Sequence, residues 1–524
     1  MPADMVLIHG TVVTMDKLKP RAQAIAIANG KISEVGDDAD VNRMVGQYTK
    51  VIDLKGKTVL PGLIDAHAHM MALANPFPWL DLRGVSSIRE IQKQLGVKIQ
   101  DVGKGKWILG RGWEQDRLRE RRYPTRWDLD MVSPDNPVLL SRICGHVGVA
   151  NSRALEAARI NKKTASAIDD LIQKDTQTGE PTGILLEGAL DVVWKSPKPS
   201  EEDMLHACRS ALDEAAKVGL TSVHWFAYEP NEIRALRTLN KRREITVRVY
   251  LAGHVDYFDK LLGKRFEDEF LTLRCIKILA DGSLGARTAA LEKPYADDPS
   301  TKGILNYTLP ELKTLIRKVD EAGFQVAVHI IGDLAAEETL KAFEETLSKD
   351  VIVKHRHRVE HASVLNPDLI ERIGRLRLSV CVQPHFVVSD SWIGDRLGSK
   401  RARWTYPFKS LMKSGILLAG SSDSPAEPLN PLLGIWAAAA RQAFPQERLS
   451  VEEALELYTI GAAYMSFEED VKGSIEIGKF ADLTVLSNNP METQPGKIKD
   501  IKVEMTIVGG RIVYLAEDLN QSLL

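Results

Sequence analysis

The segment TVLPGLIDAHAHM, residues 58–70, holds the residues with the clearest chemical potential. Its apolar lead reads as a β-strand. Side chains two apart on a strand point to one face, so His67 and His69 can meet one cation. Neutral imidazole is a common ligand for divalent first-row metals, and Asp65 extends the same face. A bare His-x-His also arises by chance at strand ends, but the Pro-Gly-x-x-Asp context after a β-rich start points to metal. Lys277 lies in RCIKILADGS, where Ile276 and Ile278 are expected to face helices and Lys277 to face inward. A lysine in a barrel interior needs a partner or a changed charge. Two readings stay open: an ion pair with Asp281 or another carboxylate, and a carbamate formed with carbon dioxide, whose oxygens could bridge two cations.

His329 follows the apolar run FQVAV and His361 follows RVE. Each is placed as a strand-end ligand, and their order after His-x-His favours that role over a structural one. A second His-x-His, His355 and His357 in KHRHR, sits among basic residues that would repel a cation. These two are expected at the surface or at a helix cap. Asp423, in ILLAGSSDSP, could bind metal and accept a proton from an activated water. The turn-like Ser-Asp-Ser-Pro also allows it to cap the next turn.

Apolar, strand-like runs end at His67, His224, His254, Asp281, His329, His361, His385 and Asp423, with helical patterns between most of them, such as 201–218, 310–322, 335–348 and 450–465. Eight strand ends with intervening helices predict a (β/α)8 TIM-type barrel over 58–469, with its site at the C-terminal rim of the strands. The first strand is read as 58–66. Both chain ends are β-rich and broken by turn signals at Asn29-Gly30, Gly478 and Gly509-Gly510. Residues 1–57 and 470–524 are therefore expected to form one small β-sandwich domain, two separate hairpins being less economical in edge strands. The link from the first to the second barrel strand is too long for a loop. Residues 75–215, with Trp79, Trp107, Trp113, Trp127 and Trp194, read as an inserted subdomain covering the rim.

The chain has 524 residues, 44% hydrophobic and 27% charged, with a formal net charge of -2. No basic field exists to hold nucleic acid or an anionic membrane. No run approaches the length of a membrane span, and no secretory signal is evident. Cys144, Cys208, Cys275 and Cys381 are scattered, which argues against a disulfide framework or a cysteine zinc module and suits a reducing cytoplasm.

PGLIDAHAH, followed after successive strands by Lys277, His329, His361 and Asp423, resembles the amidohydrolase superfamily of metal-dependent hydrolases. Within it the chain is similar to the amidohydrolase family 3 group that includes N-substituted formamide deformylases. Further segments carry the likeness: RGWEQDRL, YPTRWDLD, GHVGVANSRAL, GILLEGAL, LADGSLGARTAAL and KGSIEIGKFADLTVL. The resemblance implies a barrel beside a β-sandwich made of both termini. It also implies a set of His67, His69, Lys277, His329, His361 and Asp423 around one or two divalent ions of zinc type, with Lys277 carboxylated in many binuclear relatives. One departure is Trp225 in TSVHWF, where members often carry an aspartate; it could alter the pocket but is not expected to touch the metal set.

The expected reaction is metal-assisted hydrolysis of a non-peptide, amide-like carbon–nitrogen bond in a small molecule. Asp423 would be the general base, and His361, His385 or His146 would bond the carbonyl oxygen. Trp113, His146, Asp281, Arg287 and His385 are expected to contact substrate, Arg287 being the rim cation that a phosphate ester would favour. The alternatives are an esterase or lactonase on the same scaffold, a mononuclear site of His67, His69 and His329 with Asp423, and a binder that has lost catalysis. A homodimer is a further expectation.

Overall fold

A computed structural model describes residues 2–74, 77, 79–142, 147–164, 171–196, 198–347 and 355–517. The chain divides into two compact units, Met1–Ala74 with Cys208–Leu524, and Asn75–Ala207. The boundary cuts the helix Glu201–Lys217, eight residues before the end expected for the insertion.

The first unit contains the barrel. Its eight parallel strands are β1 (Leu63–Ala68), β2 (Leu220–Ala227), β3 (Arg248–His254), β4 (Leu271–Leu279), β5 (Gln325–Ile330), β6 (Arg358–His361), β7 (Ser379–Val382) and β8 (Leu418–Gly420), each hydrogen-bonded to the next. The ring is drawn together just beyond β8. The Asp423 N–H donates to the His67 carbonyl at 2.8 Å and the His69 N–H to the Ser424 carbonyl at 2.8 Å. These two bonds also fix Asp423 beside the His-x-His pair.

Alternation along β2 decides which of its residues reach the interior. Phe226 points inward and lies flat on the His67 ring, 3.8 Å between centroids. Trp225 points outward and donates from Nε1 to Glu232, 2.9 Å away on the helix Pro230–Lys241. The expected effect of Trp225 on the pocket is therefore not direct, because the pleat turns its ring out of the barrel.

Both termini build the small β domain. Strands 31–36, 24–28, 5–8 and 50–53 form a four-stranded sheet. Strands 511–515, 503–508, 483–486, 58–61, 11–13 and 21–22 form a six-stranded one, so residues from both ends share a sheet. Leu7, Ile25 and Ile27 pack with Leu483, Met505 and Ile507 in one buried cluster between the sheets. Asn29 and Gly30 have φ of 52° and 74°, and Gly509 and Gly510 have φ of 55° and 73°, the paired left-handed residues that tight hairpins require.

The run 58–66 is not one strand. Thr58–Pro61 pairs antiparallel with Leu483–Leu486 in the small domain, and β1 starts at Leu63. The break is Gly62, where a Cβ would lie 2.0 Å from the Thr221 hydroxyl, so only glycine lets the chain pass so close to β2. The buried Arg248 of β3 ties barrel to sandwich through Asp482, at 2.7 and 3.1 Å.

His357 is buried rather than at the surface, while His355 is half-buried and bonds Leu376, the C-cap of the helix Pro367–Arg375, one of the two places expected for it. They precede β6, at the end of the barrel away from the ligand-bearing rim. His357 is buried, accepts from the Val326 N–H at 3.1 Å and contacts Asp320 at 3.0 Å. His355 donates to the Leu376 carbonyl at 2.9 Å and stacks on His357. Burial, and then the neighbouring His357, draw His355 down to about 4 from the ordinary 6.5. A base whose folded pKa is depressed contributes stability that is whole above its unfolded pKa and is lost as pH falls through the window down to the folded value. The unfolding midpoint should accordingly fall between pH 6.5 and 4. In His355→Gln, which keeps a donor and an acceptor, that fall should be shallower; parallel pH profiles of the two proteins would refute the assignment.

The second unit is a six-stranded mixed sheet in the order 172–174, 181–186, 147–150, 138–142, 108–113, 79–81, with helices including Ile88–Val102 and Ser152–Ala157. Trp113 belongs to its core. The ring is 1% exposed among Leu82, Ile91 and Leu140, and Nε1 donates to the Leu140 carbonyl at 2.9 Å. A substrate-contacting face for Trp113 is not what this packing provides.

Candidate metal centre

The C-terminal ends of β1, β4, β5, β6 and β8 bring together the residues singled out by the sequence. A ligand atom from each of His67, His69 and Asp423 lies within 4.8 Å of the other two. Asp423 Oδ1 is 3.5 Å from His67 Nε2 and 3.3 Å from His69 Nε2. Lys277 Nζ is 3.5 Å from His67 Nε2. The rings of His361 and His329 are 4.4 Å apart, and those of His361 and His67 are 5.0 Å apart. A cleft of about 570 Å³ opens over this group, lined by His69, Tyr228, Lys277, His329, His361 and Asp423 among others.

Each of the four histidines has one ring nitrogen held by an acceptor. His67 Nδ1 meets Glu360 at 2.6 Å, His69 Nδ1 the Phe226 carbonyl at 3.3 Å, His361 Nδ1 the Gln383 side-chain oxygen at 2.8 Å, and His329 Nε2 the Gly282 carbonyl at 3.0 Å. A carbonyl or carboxylate only accepts, so the ring proton belongs on that nitrogen. The opposite nitrogen, Nε2 in three rings and Nδ1 in His329, keeps its lone pair for a cation. Burial, and then the Lys277 charge, draw His329 down to about 3. Burial likewise holds His67 and His361 far below the usual imidazole range. Neutral imidazoles are the metal-binding form.

Lys277 faces inward as expected. Among the described residues it makes no ion pair with Asp281 or any other carboxylate. Burial draws its amine down to about 8, against the pull of the Glu360 and Asp423 carboxylates. The neutral amine is the form that adds carbon dioxide.

Two site residues carry left-handed backbone: His361 has φ 71° and Asp423 has φ 54°. Such geometry costs about 1–3 kcal/mol at a non-glycine residue and persists only where neighbours fix it. Here the Ala362 N–H bonds the Ile330 carbonyl at 2.9 Å, and the Asp423 N–H is tied to His67.

The sequence reading missed Glu360 and Arg358. Both are fully buried and ion-paired beneath His67. Arg358 also bonds the Ala66 carbonyl at 2.7 Å and His224 Nδ1 at 3.0 Å. The signal was available, because two charged residues two apart in the apolar strand RVEH share its inward face. Despite burial, Glu360 is held below the usual carboxylate range by Arg358 and Lys277.

Three expected substrate contacts have partners within the protein, and one of them, Asp281, lines the cleft. Asp281 is buried and accepts from the N–H groups of Ala290, Ile331 and Gly332 at 2.9, 3.0 and 2.8 Å, so its carboxylate braces the loops after β4 and β5. Arg287 pairs with Asp297 at 2.9 Å. His385 Nδ1 is bound by Glu427, which also takes the Ser389 hydroxyl. His146 lies outside the described residues.

The sequence profile of the amidohydrolase family matches residues 50–514. The chain is 36% identical to a putative amidohydrolase, YtcJ, of Bacillus subtilis, over 96% of this chain and 98% of that one. It is 27% identical to the N-substituted formamide deformylase of Arthrobacter pascens, over 98% of each. The crystal structure of an uncharacterized metal-dependent hydrolase from Pyrococcus furiosus superposes with a TM-score of 0.82 at 35% identity, covering 93% of this chain and 100% of the other. The chain belongs to the amidohydrolase family. It is a metal-dependent hydrolase acting on a small molecule. Among the described residues no helix is long and apolar enough to cross a membrane.

Proposed function

We propose that this hydrolase cleaves a non-peptide carbon–nitrogen bond of amide type at a zinc-type centre held by His67, His69, His329, His361, Asp423 and a carbamate on Lys277. The observation that carries the reading is the set of four imidazoles, each with its outer N–H given to an acceptor and its lone pair turned toward one cleft. A metal of this kind, when bound, would acidify a water and polarise the substrate carbonyl. Asp423 would take a proton from the attacking water and return it to the leaving nitrogen. An amine leaves an addition intermediate far more readily once protonated, so a proton-returning carboxylate suits amides more than esters. The name of the deformylase relative points the same way. Free, buried Cys208, Cys275 and Cys381 suit a cytoplasmic setting.

A panel of N-formyl amines, cyclic amides and matched esters tests the reading. Turnover of amides by metal-loaded protein, lost on chelation and restored by zinc, is expected. Turnover of the esters alone, or activity indifferent to chelation, would sink it. The carbamate has its own test. Lys277→Ala should hold less metal and lose most turnover, with partial recovery in acetate or propionate. An electron-density map showing a plain amine beside full metal occupancy would rule it out.

A further inference from the structure

Tyr228 follows β2 directly, is half-exposed, and lines the cleft. Its ring stacks on His69, centroids 4.6 Å apart and planes 16° from parallel. Among the described residues its hydroxyl has one polar partner, His69 Nε2, at a long 3.4 Å. His69 Nδ1 carries the ring proton toward the Phe226 carbonyl, so the Tyr228 hydroxyl is the donor in this contact. The lone pair it points to is the one a cation at His69 would take. With that lone pair engaged, the O–H is free to donate to another acceptor, and a group bound in the cleft lies in its direction.

The position of Tyr228 is braced. Its N–H donates to Glu232 Oε1 at 2.9 Å, and the other oxygen of Glu232 takes the Trp225 indole N–H at 2.9 Å. Trp225, the departure from the family pattern, thus helps anchor the turn that presents Tyr228. Nearby, among the described residues, His361 Nδ1 is held by Gln383, His385 Nδ1 by Glu427, and the Asp281 carboxylate by three backbone N–H groups.

We propose that Tyr228 is a catalytic residue whose hydroxyl donates to the substrate carbonyl oxygen as that oxygen gains negative charge. The inference rests on the hydrolytic reading of the same site. It is an alternative to His361, His385 and His146 for this task, the last lying outside the described residues. A fixed donor aimed at a developing oxyanion acts mainly on the transition state, so its removal lowers kcat rather than raising KM.

Tyr228→Phe removes the hydroxyl and keeps the ring on His69. Metal content and unfolding midpoint should match the parent. On the best N-formyl substrate of the panel, kcat should fall about 10²-fold with KM near the parent value. Inorganic phosphate, a tetrahedral oxyanion, should bind the zinc-loaded variant about 10-fold more weakly by calorimetry. Unchanged kcat, or equal phosphate affinity in the two proteins, overturns the proposal. If the parent cleaves no amide, the amide reading fails while the phosphate arm still decides Tyr228: absent or equal binding in both proteins overturns it.

Discussion

Asp423→Asn should lower kcat by about 10²–10⁴-fold, the range general-base catalysis supplies, while metal content stays near the parent's. The amide keeps the shape of the carboxylate and one oxygen that can face a cation. It cannot accept a proton near neutral pH. The backbone at this position is already committed to left-handed φ and to the His67 carbonyl, so the substitution leaves the chain in place and changes the charge and the proton acceptor of the side chain. The loss should fall on kcat, because the interaction removed is made in the transition state. Metal analysis and steady-state kinetics on the same preparation check both halves. Turnover near the parent value with full metal would remove Asp423 from the proton path. Loss of metal along with turnover would make it a ligand before a base.

Glu360→Gln should be as damaging without touching substrate. Glu360 accepts the His67 Nδ1–H at 2.6 Å and the guanidinium of Arg358, and all three side chains are 0% exposed. Breaking a buried ion pair from one side strands the other charge, at a cost of about 3–5 kcal/mol. The metal-free variant should show a correspondingly lower urea midpoint. A neutral glutamine offers one acceptor oxygen to two donors, so the His67 proton is no longer held on Nδ1 and the Nε2 lone pair is no longer guaranteed. Groups that orient a metal-binding histidine are worth about 10–100-fold in affinity. Zinc affinity measured against a competing chelator should fall by that factor. A purely structural role would lower the midpoint and leave metal affinity alone, which is the result that would reduce Glu360 to a core ion pair.

His67 and Glu360 are 293 positions apart in the chain, and that separation marks what sequence could and could not give. The local pattern determined a good deal. The Pro-Gly-x-x-Asp-x-His-x-His run, the apolar strands with ionisable ends, and the paired turn residues at Asn29-Gly30 and Gly509-Gly510 named the barrel, the shared terminal sheets and the candidate ligands. These signals depend on spacing along a few residues, where strand alternation and turn geometry act. Some errors were also local in origin. The strand 58–66 hid a break at Gly62 that only the approach of Thr221 explains.

Tertiary structure decided the partners. Asp281, Arg287 and His385 looked available because a sequence does not show that Ile331 and Gly332, Asp297 and Glu427 will reach them first. His355 and His357 looked like surface or cap residues in a basic run, yet at the opposite end of the barrel His357 is buried against Val326 and Asp320, and only His355 serves a helix end, at Leu376. Which nitrogen of each imidazole holds the proton also came only from the fold. A buried polar group takes the nearest partner of the right kind, because leaving it unmet costs about 1–3 kcal/mol. Folding sets who is nearest. The sequence by itself determined that histidines, a lysine and an aspartate would gather at one rim. The closure of the ring decided which lone pairs face the cleft, which carboxylates are spent on structure, and that the Tyr228 hydroxyl stands over them.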